Sequence, residues 1–342
     1  MRKIFALRIL TIGLSVILIG CNPNPAAPTN VPAPPSPIPT IAAPTHAPPT
    51  ETPSVPPTPT VPPLTPTPTL VPYFNLGTVQ RDIAFCTGGD LTLLMDIYFP
   101  NQPKSDPAPV VLSQSAATPS GSLGLKGGVR SFDLEELLRR GYIVASSDRR
   151  DPPKYRLPAP FEDAKCAVRY LRANAAAYHL DPNQIGAWGC SMGGWMASML
   201  ALTDASAGLE GTGGFAEQSS RVQAAVVMDG AVDVSATDPS GLQWGFGDIS
   251  LQDPLIANVS SLTHVSKDDP PFLIFVSEGD NFAPPGQTKS DMQRLYDGLI
   301  AGGVPATLVV VKGANHCFEG VPDPSLPEIA TMVGDFFDQN LK

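Results

Sequence analysis

An α/β fold, a mostly parallel sheet with helices on both faces, is predicted from three features of this 342-residue chain. Short apolar runs recur without polar alternation at 109–112, 142–145, 184–188, 223–228, 272–276 and 307–311, the pattern of strands buried on both faces. Segments of helical period fill the gaps between them. A tight glycine-flanked string, Gly189-Cys190-Ser191-Met192-Gly193, sits between one such run and the next helical pattern. Strand–helix alternation of this kind places ligands at the carboxyl ends of the strands.

The chain opens with Arg2 and Lys3 and an apolar run over 4–19, too short and too N-terminal for a spanning helix, which reads as a secretory signal. The run ends Leu18-Ile19-Gly20-Cys21. This resembles the bacterial lipobox and implies cleavage after residue 20 and a diacylglyceryl anchor on Cys21. The expected location is therefore outside the cytoplasm, lipid-anchored at a bacterial membrane. Between Asn22 and Pro72, 20 of 51 residues are proline, mixed with Thr, Ala and Val. Proline fixes φ and removes donors, so 21–72 is expected to be an extended spacer of at most ~3.1 Å per residue rather than part of a core.

The remaining 73–342 suffices for one domain with a sizeable core. Without Arg2, Lys3 and Arg8 the chain keeps 19 of its 22 basic residues against 32 acidic ones. A negative surface repels phosphate backbones, so no nucleic-acid partner is expected. No zinc motif, calcium loop or dinucleotide fingerprint is present, and neither cofactor nor metal is expected. Cys86, Cys166, Cys190 and Cys317 lack the C-x-x-C spacing of redox or metal sites. They read as free buried thiols, with one disulfide as the alternative.

The domain is expected to begin with an antiparallel hairpin, 81–85 and 91–99, across the turn Thr87-Gly88-Gly89-Asp90. Ala164, Ala167, Val168, Leu171 and Ala175 share one helix face before the run at 184–188. Trp195 to Leu200 continues as a helix after the glycine-flanked serine. Met292, Leu295, Tyr296, Leu299 and Ile300 share a later face, and Ile329, Met332, Val333, Phe336 and Phe337 mark the last helix. The segment 241–246, with Trp244, is expected to pack on the body rather than close as a lid.

A serine hydroxyl becomes a nucleophile only beside a base and in a geometry that presents it. Gly189 and Gly193 leave room for a turn that folds back on itself, and Met192 starts a helix whose N–H can face a developing oxyanion. Among the four histidines, His46 lies in the spacer, and His179 and His264 precede the candidate acid. His316, after a strand and a Gly-Ala-Asn turn, is left as the base. Asp280, at the end of the run beginning at Phe272, is the expected acid; Asp229 is the runner-up, with Asp233 and Glu278 more distant. The order serine, acid, histidine is that of α/β-hydrolases.

Further strings carry a family resemblance: Leu93-Leu94-Met95-Asp96-Ile97-Tyr98-Phe99-Pro100, Arg140-Gly141-Tyr142-Ile143-Val144-Ala145, Phe161-Glu162-Asp163-Ala164, Asp268-Asp269-Pro270-Pro271-Phe272 and Ala301-Gly302-Gly303-Val304-Pro305. The chain resembles α/β-hydrolase esterases of the acetyl-esterase and bacterial feruloyl-esterase-like group, related to hormone-sensitive lipases. The resemblance implies an acyl-serine intermediate on small-molecule or carbohydrate esters, without a cofactor. Two stretches depart from it. The family's His-Gly-Gly-Gly oxyanion loop is Ser113-Gln114-Ser115-Ala116-Ala117, where the N–H groups of Gln114 or Ser115 would have to serve, and its Asp-Tyr-Arg is Asp148-Arg149-Arg150. The competing readings are a prolyl-oligopeptidase-like peptidase and a lipoprotein that binds through a catalytically weakened scaffold.

Overall fold

The structure is a computed structural model and describes residues 71–73, 75–117, 123–124, 126, 131–236, 243, 245–280 and 287–341. Cys21, the apolar start and the spacer through residue 70 lie outside the described residues, as do Trp244 and residues 281–286. Among the described residues, no helix is long and apolar enough to cross a membrane.

In chain order the strands are β1 Val71–Tyr73, β2 Gly77–Gly88, β3 Leu91–Pro100, β4 Ala108–Gln114, β5 Leu123–Gly124, β6 Ile143–Ser147, β7 Arg149–Arg150, β8 Leu180–Cys190, β9 Ala224–Met228, β10 Phe272–Ser277, β11 Ala306–Asn315 and β12 Glu319–Asp323. The helices are α1 Ser131–Arg139, α2 Ala159–Ala173, α3 Ala175–Tyr178, α4 Met192–Leu202, α5 Pro254–Asn258, α6 Gln287–Gly302 and α7 Leu326–Asn340. Ten strands form one sheet in the order β1-β2-β3-β6-β4-β8-β9-β10-β11-β12, and β5 and β7 make a separate pair. The expected hairpin is β2 and β3, antiparallel across Gly88 and Leu91. From β6 through β11 every neighbour is parallel, with Val111 opposite Val144 and Gly186 and Phe275 opposite Met228 and Val309. Strand β1 includes Val71 and Pro72, residues that composition alone groups with the spacer.

Every residue of β4, β9 and β10 is buried, as their unbroken apolar runs require. Alternate side chains point to opposite faces. Leu112, Ala187, Val227 and Ile274 meet α2, α4 and α6 in one apolar layer. Val111, Trp188, Val226 and Phe275 meet α1 and α7 in the other, through Leu134, Leu137, Val333 and Phe337. Ala164, Ala167, Val168 and Leu171 of the expected face are buried on α2, while Ala175 begins α3; α4 is buried along its whole length because it lies between the sheet and its neighbours. Strand β12, which the sequence reading did not anticipate, is an exposed edge with no apolar run to announce it. The described part of 241–246 packs on the body: Gly245 O accepts the Leu157 N–H at 3.0 Å, and Phe246 rests on the core.

The cysteines correct the sequence reading. All four are paired, Cys86 with Cys166 and Cys190 with Cys317, with Cα separations of 6.4 and 5.8 Å. These distances suit disulfides. The partners lie 80 and 127 residues apart, so no local spacing marks them. The fold brings α2 against β2, and the turn after β11 against the end of β8.

Candidate active site

Strand β8 ends at Cys190, and α4 begins at Met192. Ser191 joins them with φ 58° and ψ −124°, a conformation that L-residues avoid except where the surroundings impose it. Its N–H donates to Met228 O at 2.9 Å and its carbonyl accepts the Trp195 N–H at 3.0 Å, so β9 and the helix fix it from two sides. A Cβ on Gly193 would stand 2.0 Å from Gln114 O, and one on Gly189 2.5 Å from the same atom. Glycine is required at both positions because the end of β4 runs directly against the elbow. Met192 supplies the first N–H of α4, a donor that no intrahelical carbonyl can reach.

At the other side, β11 delivers His316 into a single 3-10 turn. His316 Nδ1–H donates to Asp280 Oδ2 at 2.8 Å, and the Asp280 side chain is 1% exposed. The turn carrying Asp280 is stitched to the same strand: Gly279 N–H donates to Ala314 O at 2.9 Å, and Glu278 N–H to Val311 O at 2.9 Å. Thus, Asp280, and not the runner-up Asp229, meets the imidazole.

Asp229 supports the histidine loop instead. Its Oδ1 accepts the Ser277 N–H at 2.7 Å, and its Oδ2 accepts Ser277 Oγ–H at 2.7 Å and the Cys317 N–H at 2.8 Å. Burial pushes its carboxyl above the usual range and nearby Asp280 adds to this, while the hydrogen bonds from Ser277 and Cys317 oppose the rise. The Cys317 contact matters because Cys317 sits at φ 55° immediately after the histidine. Asp233 turns away to Arg294, and among the described residues Asp229 is the additional carboxylate in the cluster. Asp229, Asp280 and His316 offer atoms within 4.8 Å of one another. Asp229 accepts three hydrogen bonds from Ser277 and Cys317 and Asp280 accepts from the imidazole, an arrangement that supports and orients His316.

The Cys190–Cys317 bond joins the residue before Ser191 to the residue after His316. Nucleophile and base candidates are thereby held at one edge of the sheet by a covalent tie. Gln114 and Ser115, the expected backbone donors, are buried at the same edge: a Cβ on Gly193 would lie 2.8 Å from Ser115 O. Sequence reasoning missed the tie and the role of Asp229. The signal was present in the adjacency of each cysteine to a candidate residue.

The remaining predicted histidines fall elsewhere. His179 caps the end of α3 in the left-handed region beside Asp106, and His264 Nε2 bonds Asn258 O at 2.8 Å.

Comparison with known proteins agrees with this architecture. The BD-FAE family model matches residues 95–295. Esterase LipQ of Mycobacterium tuberculosis is 25% identical over 275 residues, covering 78% of this chain and 63% of LipQ. Probable carboxylic ester hydrolase LipM of the same organism is 29% identical over 223 residues, 62% of this chain and 50% of LipM. The chain thus spans between half and two thirds of the length of these relatives. Among solved structures, a truncated carbohydrate esterase from gut microbiota superposes with a TM-score of 0.60 at 25% identity, covering 80% of this chain and 99% of that one. A thermophilic esterase from Thermogutta terrifontis gives 0.62 at 22% identity, over 77% and 94%, and bears on the fold alone. The chain belongs to the BD-FAE family and has the α/β-hydrolase fold.

Proposed function

We propose that this BD-FAE family member is a serine carboxylic-ester hydrolase acting through an acyl-serine intermediate. Ser191 Oγ attacks the ester carbonyl while His316 Nε2 takes its proton. Asp280 fixes the tautomer through Nδ1–H and stabilises the imidazolium that forms. The tetrahedral oxyanion is received by the Met192 N–H at the start of α4 and by backbone N–H of Gln114 or Ser115. His316 returns the proton to the leaving alcohol, and water repeats the sequence on the acyl-enzyme. The observation that carries this reading is the 2.8 Å bond from His316 to buried Asp280, beside a serine held at φ 58°.

The substrate class is a small acyl or carbohydrate-linked ester; the support is the likeness to a carbohydrate esterase at 25% identity. Export and anchoring at Cys21 are part of the same proposal. They are supported by the signal-like start and by two disulfides, which persist in oxidising compartments. Incubation with a fluorophosphonate, followed by peptide mass mapping, tests the mechanism. Modification at Ser191 is expected, and an unmodified Ser191 would favour a binding scaffold instead.

A further inference from the structure

The loop 113–117 contains no glycine, so each of its residues carries a Cβ that narrows its allowed φ/ψ. Sheet pairing sets its first two residues, with Gln114 of β4 opposite Gly189 of β8, and contacts beyond the strand must hold the rest in register with the elbow. Arg149 and Asp151 lie directly behind it, both 0% exposed. Arg149 Nε–H donates to Asp151 Oδ1 at 2.8 Å and Nη2–H to Asp151 Oδ2 at 3.1 Å, a two-point fork. The other edge of the guanidinium faces the loop: Nη1–H donates to Ser115 Oγ at 3.2 Å and Nη2–H to Ala116 O at 3.4 Å. One residue earlier, Gln114 Nε2–H donates to Ser147 Oγ at 3.1 Å. On its opposite side the loop meets Gly193 of the elbow.

We propose that Arg149, oriented by Asp151, is a positioning residue that clamps the 114–116 backbone so that its N–H groups face the oxyanion formed at Ser191. This rests on the reading of Ser191 as nucleophile. Burying a charge pair is rarely more stable than apolar packing of the same volume. What the pair provides is a planar, fixed set of donors that admits one loop path. The two departures from the family pattern thereby explain each other: the arginine occupies the position of the family's tyrosine, and it touches the loop that has lost its glycines.

The test compares wild type with Arg149→Met/Asp151→Leu, which removes both charges together, and with Ser115→Ala, which removes one contact and leaves the ion pair. For the double variant, kcat on p-nitrophenyl acetate is expected to fall about 10- to 100-fold with KM within about 3-fold, below the full loss of an oxyanion donor. Affinity for a trifluoromethyl ketone, whose adduct with the serine carries the oxyanion, should fall in parallel. Amide exchange at Ser115 and Ala116 should accelerate about tenfold or more. Ser115→Ala should show the same pattern at about 3- to 10-fold. A folded double variant with wild-type kcat, or unchanged exchange at these amides, overturns the clamp. Should the double variant fail to melt cooperatively, Ser115→Ala decides on the same two readouts. Wild-type turnover by Ser191→Ala would instead remove the nucleophile assignment, while amide exchange would still judge the clamp.

Discussion

Two stretches of backbone face each other across the candidate oxyanion position, and they are held in different ways. The elbow at 189–194 is shaped by its own residues: glycines stand where any side chain would strike Gln114 O or Met228 O. The stretch 113–117 has no such local instruction: β4 pairing carries it to Gln114, and beyond the strand Ser115 and Ala116 meet a guanidinium contributed by β7. A turn specified by sterics is readable in five letters. A turn specified by a distant buried ion pair is readable only once the fold is known.

The sharpest way to break this contrast is Gly193→Ala. One methyl would lie 2.0 Å from the Gln114 carbonyl oxygen. Either the elbow or the loop must move, and kcat/KM is expected to drop by about 10³-fold, the range seen when oxyanion geometry is lost. Steady-state kinetics beside a thermal melt would separate this from unfolding, and near-normal kcat/KM would show that sterics do not set the elbow.

The two disulfides extend the comparison. Replacing Cys190 and Cys317 together by alanine releases the tie between the serine and histidine loops, and kcat should fall about 10- to 100-fold as near-attack geometry loosens. Replacing Cys86 and Cys166 together by alanine releases the hairpin strand β2 from α2, a tie that joins neither the serine nor the histidine loop, and should lower stability by about 2–5 kcal/mol with kcat retained. Kinetics and denaturant titration of both pairs check this; equal effects on kcat would deny the first bond its particular place.

A last effect lies away from both loops, leaves kcat untouched and serves to separate fold from site. Burial pushes Asp291 up to about 6, nearby Asp233 adds to this, and Arg294 and the Val232 N–H oppose it. Its folded value is above its unfolded value, so its contribution to stability is complete below about pH 4 and is lost as pH rises through about 6. Between pH 4 and 7 the stability of wild type should decline by up to about 3 kcal/mol from this group. Asp291→Asn should flatten that slope in denaturant titrations across the same range. An unchanged slope would exclude Asp291 as its source.

Much of this was legible beforehand. The parallel strands, the hairpin, the elbow and the pairing of His316 with Asp280 rather than Asp229 follow from apolar runs, turn residues and chain order. Those signals are local, or depend only on sequence order. The disulfides, the support of Cys317 by Asp229 and the Arg149 clamp depend on which elements become neighbours. Cys190 and Cys317 form a disulfide across 127 residues, a spacing without a pairing signal, so that only their adjacency to Ser191 and His316 pointed to it. Strand β12 escaped notice because an exposed edge needs no apolar pattern.

The central claim, that Ser191 carries the acyl group, is tested most directly by Ser191→Ala assayed on p-nitrophenyl acetate beside wild type. A fall in kcat of at least about 10³-fold, with an unchanged melting temperature, is the expected result. Hydrolysis by the folded variant at the wild-type rate would contradict it.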